Sequence, residues 1–280
     1  MRFDAFTDTC KTFNEDIFGH TEHCFWVLDG ALSLSKANYT DAFSDIVWVV
    51  NWWNTYLLHN IEQFNKSIVT ILEEGIDQLN REFNQYVDYR TLSKLDRSTA
   101  SIIIVRINNH TIECFGLGDS EINIRDKQGT VEVLVDGKID QLDSQVIDMI
   151  FNNNERVNHI QFNGYTNKEL AVLQNNRMKM NETDGYYILE HDKNAIRHGH
   201  YKEYPLSDIQ DIILMSDGYS AIYNKYNQLT IEQLMDRCHR DGVQPVMELI
   251  RSTEKGDENF QKYKRLRLHD DATVIYLSDI

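Results

Sequence analysis

The chain has 280 residues, long for one compact domain and short for two typical ones. Hydrophobic residues make up 41% and charged residues 26%, proportions that exclude a disordered or low-complexity polypeptide. Lys and Arg number 28 against 44 Asp and Glu, a net charge of −16; such a surface repels phosphate backbones and anionic lipid, so neither nucleic acid nor a membrane is an expected partner.

The longest apolar runs, such as Ile46–Val50, fall far short of the roughly 20 residues that cross a bilayer, and Met1–Asp4 lacks the apolar core of a signal peptide. Cys10, Cys24, Cys114 and Cys238 are scattered without a C-x-x-C pair, which argues against a disulfide frame or zinc knuckle and for reduced thiols in a cytoplasmic protein.

In chain order, short extended pieces come first. Cys24–Leu28 is a continuous apolar run ending in Asp29-Gly30 and reads as a strand buried on both faces. Apolar residues at steps of three and four then predict two amphipathic helices, Tyr39 to Leu57 and Ile61 to Phe83. Ser101–Ile107 and Thr111–Phe115 form a hairpin around Asn108-Asn109, and Glu121–Arg125 pairs with Thr130–Val135 across Lys127–Gly129. From 140 to 182 the pattern is helical and Asn-rich, as for an insert or flap. A strand at Gly185–Leu189, a buried strand at Asp211–Ser216, helices near 230–238 and 243–254, and a last strand at Ala272–Leu277 complete the chain. This order lacks regular β-α alternation and predicts an α+β fold with antiparallel sheets and helices outside. Only Pro205 and Pro245 interrupt it and no Gly/Ser-rich linker occurs, so 1–280 is expected to be a single domain.

Several chemistries are excluded. There is no phosphate-cradling P-loop, and no G-x-S-x-G nucleophile elbow. Gly116-Leu117-Gly118 opens like a dinucleotide fingerprint but has Glu121 at the third glycine position. No cysteine has an arginine six residues on, which removes the thiolate phosphatase loop. The pairs His20/His23 and His198/His200 lack the helical H-E-x-x-H context of a metal site and read as loop histidines.

Carboxylates remain. Asp-Gly occurs five times, usually a turn signal, but Asp29 and Asp217 each end an apolar run, and Asp136 follows an alternating strand. A carboxylate at the end of a buried strand is held rigidly and partly desolvated. Two or three together repel one another unless cations lie between them, and oxygen-only ligands suit Mg²⁺ or Mn²⁺. Asp270-Asp271 at the start of the last strand, Asn14-Glu15-Asp16 near the N-terminus and Gly118-Asp119-Ser120 supply further clusters.

The set Asn14-Glu15-Asp16, Val27–Gly30, Gly118–Ser120, Met215–Gly218 and Asp270–Thr273 resembles, in order and spacing, the metal-dependent protein phosphatase family, type 2C, in a divergent bacterial-like form. The resemblance spans about residues 10 to 278. It implies a central β-sandwich of two antiparallel sheets flanked by helix pairs (α-β-β-α). It also implies a centre of two Mn²⁺ or Mg²⁺ ions bridged by Asp29, with Asp217 and Asp270 on one ion and Glu15 and the Gly30 carbonyl on the other. Asp16 would orient a water, and Asp119 would help hold a third, weaker ion. Two such ions roughly 3.5–4 Å apart bring a bridging water towards neutral pKa, and the hydroxide attacks phosphorus in line.

The implied substrate is phosphoserine or phosphothreonine in a protein; a small phosphorylated metabolite, or phosphoprotein binding without catalysis, are the alternatives. Three departures stand out. Lys11 occupies the place of the family's phosphate-gripping arginine, and lysine brings a point charge instead of a bidentate fork. Asp29-Gly30 continues into Ala31-Leu32-Ser33 where many members have His-Gly-Gly. Ala221 stands where an aspartate often follows, leaving the third-ion site at Asp119 one carboxylate fewer. Arg177 in the 140–182 stretch is a further candidate for substrate contact.

Overall fold

The computed structural model describes residues 1–151 and 165–280. Among these residues ten strands form two antiparallel five-stranded sheets. The first contains β1 (Arg2–Asp8), β10 (Ala272–Ser278), β9 (Ile209–Met215), β6 (Glu121–Asp126) and β7 (Val131–Leu134), in that order. The second contains β2 (Ile17–His20), β3 (Cys24–Ala31), β4 (Thr99–Ile107), β5 (Thr111–Leu117) and β8 (His200–Pro205). Helices α1 (Asp45–Asn60) and α2 (Ile68–Phe83) cover the second sheet. Helices α5 (Asp217–Asn224), α6 (Ile231–Asp241) and α7 (Gln244–Lys255) cover the first.

Three apolar layers hold this together, and strand alternation assigns residues to them. Phe25, Val27, Ile103, Val105, Ile212, Leu214, Ile275 and Leu277 point between the sheets. Their neighbours Trp26, Leu28, Ile102 and Ile104 point the other way, onto Ile46, Val50, Trp53 and Ile76 of α1 and α2. Ile213, Met215, Val274 and Tyr276 likewise meet Tyr219, Ile222, Leu234 and Ile250. Central strands therefore bury both faces, which is why their sequences are unbroken apolar runs even though the sheets are antiparallel. The α-β-β-α sandwich expected from the sequence is the observed one.

Local chemistry moves several boundaries. The first helix begins at Asp45 rather than Tyr39, because the Asp45 carboxylate accepts the backbone N–H groups of Tyr39 (2.9 Å) and Thr40 (2.7 Å) and holds that stretch as a loop. The second begins at Ile68, after the Ser67 hydroxyl accepts Thr70 N–H at 3.1 Å. The strand expected at Gly185–Leu189 is absent. Two isolated bridges replace it, Met180 with Tyr186 and Ala100 with Leu189, because β5 takes that edge of β4 from Ile102 onward and leaves only Thr99–Ser101 open. The turn after β5 uses Gly118 at φ +101°, where a Cβ would lie 2.2 Å from Ser101 Oγ.

In the stretch 140–182, α3 (Lys138–Phe151) and α4 (Asn167–Met178) are helical, and the part of the expected flap between 152 and 164 lies outside the described residues. No helix among the described residues is long and apolar enough to cross a membrane.

Register fixes which strand ends meet. Met215 pairs with both Glu121 and Val274, so the end of β9 and the starts of β6 and β10 share one rim of the sandwich. Ser216 and Thr273 clasp that rim, Ser216 N–H to Thr273 O at 3.0 Å and Thr273 N–H to Ser216 Oγ at 2.9 Å. Beside them Gly218 packs so closely that a Cβ would come 2.0 Å from the Asp271 carbonyl. Gly218→Ala must force α5 from the segment before β10. It should cost about 1–3 kcal/mol, read as a Tm lowered by several degrees, whereas an unchanged Tm would mean that this contact does not set the spacing of the rim.

Candidate active site

A cavity of about 640 Å³ opens at this rim, lined by Asp29, Gly30, Asp119, Asp217 and Asp270 among others. Asp29 and Gly30 come from the end of β3, opposite Ser101 and Ala100 of β4. Ser101 in turn hydrogen-bonds the Asp119 carboxylate and accepts Asp119 N–H at 2.9 Å, so β4 ties the two acids together. Asp217 is the first residue of α5, and Asp270 precedes β10. Glu15 and Asp16 lie behind the cavity, only 3% and 5% exposed.

The electrostatics register this convergence. Burial, then the charges of Asp16, Asp217, Asp119 and Asp270, push the Asp29 carboxyl well above the usual carboxylate range. Burial followed by Asp271 and Asp270 raises Asp16 to about 8, against the opposing pull of the nearby Ser216 and Thr273 hydroxyls. Burial followed by Asp217 raises Asp119 to about 7. Asp270 goes the other way: burial works to raise it, but Arg267, Lys11 and Lys225 outweigh burial and hold it below the ordinary range.

Basic side chains already sit on four acids at this rim. Lys11 Nζ is 2.6 Å from Glu15 Oε2, 3.0 Å from Asp271 Oδ2 and 3.5 Å from Asp270 Oδ1. Lys225 Nζ is 2.8 Å from Asp217 Oδ2, and Arg267 Nη1 is 2.7 Å from Asp270 Oδ1. With these pairs in place, no three His, Cys, Asp or Glu side chains among the described residues form a ready-made metal cage. The donor set nonetheless suits a hard divalent cation: it is all oxygen, and its buried carboxylates repel one another.

Asp29, Gly30, Asp119, Asp217 and Asp270, singled out from sequence, thus share one cavity, with Glu15 and Asp16 directly behind. Lys11, expected at a phosphate, has its ammonium among the carboxylates of Glu15, Asp271 and Asp270 instead. Arg177 lines the cavity, but its guanidinium donates to Leu32 O, Arg97 O and Thr99 Oγ1 at 3.2–3.4 Å and so ties α4 to β4. Sequence reasoning missed Lys225, Arg267, Asp140 and Asp143. Asp140 and Asp143 face the cavity from α3, where burial and then Asp217 raise Asp143 to about 6. Their signals were present: an Asp pair at i,i+3, and a lysine two turns after Asp217 on one helix.

The family model of protein phosphatase 2C matches residues 9–255, and the chain belongs to that family. A search of curated proteins gives no match. Among solved structures, the serine/threonine phosphatase PstP/Ppp of Mycobacterium tuberculosis is similar with a TM-score of 0.57 at 13% identity, covering 98% of this chain and 97% of that one. The serine/threonine phosphatase Stp1 of Staphylococcus aureus gives 0.53 at 14%, covering 99% and 94%. The catalytic domain of PstP in complex with two manganese ions gives 0.52 at 12%, covering 98% and 96%. At such identities the likeness shows a shared fold.

The raised carboxyls predict how the metal-free protein responds to pH. Asp16, Asp119 and Asp143 keep protons when folded that the unfolded chain releases near pH 4. Their contribution is complete below that pH and is lost as pH rises through about 6 to 8. In chelator, Tm should therefore fall from pH 5 to pH 8, and Asp16→Asn should flatten the upper part of the curve. A wild-type Tm that climbs across this window would contradict the assignment.

Proposed function

We propose that the chain hydrolyses phosphomonoesters in a metal-dependent reaction, with phosphoserine and phosphothreonine in proteins as substrates. The observation that carries this reading is the convergence of Asp29, Asp119, Asp217 and Asp270 on one cavity in a chain of the protein phosphatase 2C family. Neighbours titled serine/threonine phosphatases, one of them holding two manganese ions, support it.

On this reading Asp29, Asp217 and Asp270 with Glu15 and the Gly30 carbonyl hold two Mn²⁺ or Mg²⁺ ions, and Asp119 contributes to a third. When bound, these ions supply water activation and charge for the phosphoryl-transfer transition state. The protein's own part is to hold the acids in place and to shape the cavity. The Ser216–Thr273 clasp and the Ser101–Asp119 bond fix the carboxylates before any ligand arrives, so little reorganisation is needed. Asp16, buried and close enough for its charge to act on Asp29, would accept a proton or orient a water. Lys11 offsets charge on Glu15 and Asp271 until cations take over part of that task. All the ligand carboxylates are retained, which favours an enzyme over a phosphoprotein-binding scaffold.

The test is hydrolysis of an aryl phosphate, then of phosphopeptides and phosphometabolites side by side. Turnover should require Mn²⁺ or Mg²⁺, vanish in chelator and survive thiol alkylation, because Cys24, Cys114 and Cys238 are buried and Cys10 lies outside the cavity. Asp217→Asn should keep the fold and lose at least about a hundredfold in kcat, since removing a ligand charge weakens the ion. Full activity in chelator, or in Asp217→Asn at saturating Mn²⁺, would overturn the reading.

A further inference from the structure

Among the described residues five basic side chains line the cavity: Arg177, Lys225, Lys264, Arg265 and Arg267. Four have other engagements. Arg177 donates to backbone carbonyls and Thr99, and Lys225 sits on Asp217. Lys264 lies 4.0 Å from Asp148 and over the Phe151 ring. Arg265 is buried, its guanidinium bonded to the Asp257 carboxylate and to the carbonyls of Asp257 and Tyr263, each at 2.9 Å.

Arg267 differs. Its side chain is 51% exposed and makes one bond, Nη1 to Asp270 Oδ1 at 2.7 Å. Among the described residues Nε and Nη2 have no partner, and these two N–H groups form one parallel edge of the guanidinium, the edge that matches two oxygens of a phosphate.

The segment that carries Arg267 is braced from inside. The Asp257 carboxylate accepts Lys262 N–H and Tyr263 N–H, both at 2.9 Å. Arg265 Nε donates to Leu268 O at 3.3 Å, and its guanidinium lies over the Phe260 ring at 4.6 Å. Arg265 and Arg267 alternate along the chain, one inward as an anchor and one into the cavity. A donor fork presented on a fixed segment loses little freedom when it binds.

We propose that Arg267 is the phosphate-binding residue of this chain: held at one edge by Asp270, it presents Nε–H and Nη2–H to two oxygens of the substrate phosphomonoester and of the product phosphate. This rests on the phosphatase reading and names the group that grips the substrate. It also accounts for Lys11, whose ammonium is engaged by Glu15, Asp271 and Asp270 and does not line the cavity.

The experiment measures inhibition by inorganic phosphate and the KM for an aryl phosphate at saturating Mn²⁺, with Mn²⁺ affinity read separately by electron paramagnetic resonance without substrate. Arg267→Gln should raise the phosphate Ki and the KM tenfold or more, with a smaller change in kcat. Its Mn²⁺ affinity should hold or tighten, because a positive charge leaves Asp270. Arg267→Lys should recover part of the loss, since it restores charge without the fork. Lys264→Gln should leave the phosphate Ki within twofold. A Ki unmoved by Arg267→Gln, or moved equally by Lys264→Gln, overturns the proposal while leaving the phosphatase reading intact. A wild type that binds neither Mn²⁺ nor phosphate removes that reading and the proposal with it.

Discussion

Mutual repulsion among the carboxylates at the open rim of the sandwich is the constraint around which this end of the molecule is organised. Asp29 feels Asp16, Asp217, Asp119 and Asp270 at once, in a setting where burial already penalises its charge. Like charges a few ångströms apart in a partly dry site cost several kcal/mol unless counter-charge is at hand. The chain supplies some of that charge itself, through Lys11 on Glu15 and Asp271, Lys225 on Asp217 and Arg267 on Asp270. Three monovalent cations leave Asp16 and Asp29 without partners of this kind. The excess of acid that remains suits divalent cations, so the arrangement that weakens the metal-free fold is also the one that would favour binding them.

Such a cluster needs a scaffold that does not relax to relieve it. The sheets bury both faces, one against each other and one against helices, so the ends of β3 and β9 and the starts of β6 and β10 cannot drift apart without opening a packed layer. Short-range bonds then set the fine spacing. Ser216 with Thr273 fixes Asp217 relative to Asp270, Ser101 fixes Asp119 relative to Asp29, and Gly218 permits the close approach of α5 to the Asp271 carbonyl. Asp29 lies near the end of β3, and Asp119, Asp217 and Asp270 each lie two residues from a strand end, positions where rigidity and access to solvent coincide.

Much of this was legible in the sequence because two-faced burial leaves a plain mark. The runs Cys24–Leu28 and Asp211–Ser216 announce central strands, and the acid that ends each run is the acid that lines the cavity. Elements that bury little left no such mark. The edge strand β8, His-Tyr-Lys-Glu-Tyr-Pro, is largely exposed and reads as a loop, and the Asp217-Gly218 that opens α5 looks like a turn. The apolar Gly185–Leu189 misled because Tyr186 and Ile188 are buried by packing against Met180, Ile139 and Leu142 and not by ladder pairing. The cations were the least legible part. Whether Lys11, Arg177 or Arg267 is free depends on which carboxylates and carbonyls the fold brings within reach, and no spacing along the chain encodes that.

The central claim is that these acids form one divalent-metal centre at the rim. Crystals grown with Mn²⁺ and measured at the manganese absorption edge test it directly. The account predicts two strong anomalous peaks in the cavity, both within coordination distance of Asp29, one also contacting Asp217 and Asp270 and the other Glu15 and the Gly30 carbonyl. Anomalous peaks confined to other parts of the surface, or a rim still closed by Lys225 on Asp217 and Arg267 on Asp270 with no peak between, would contradict it.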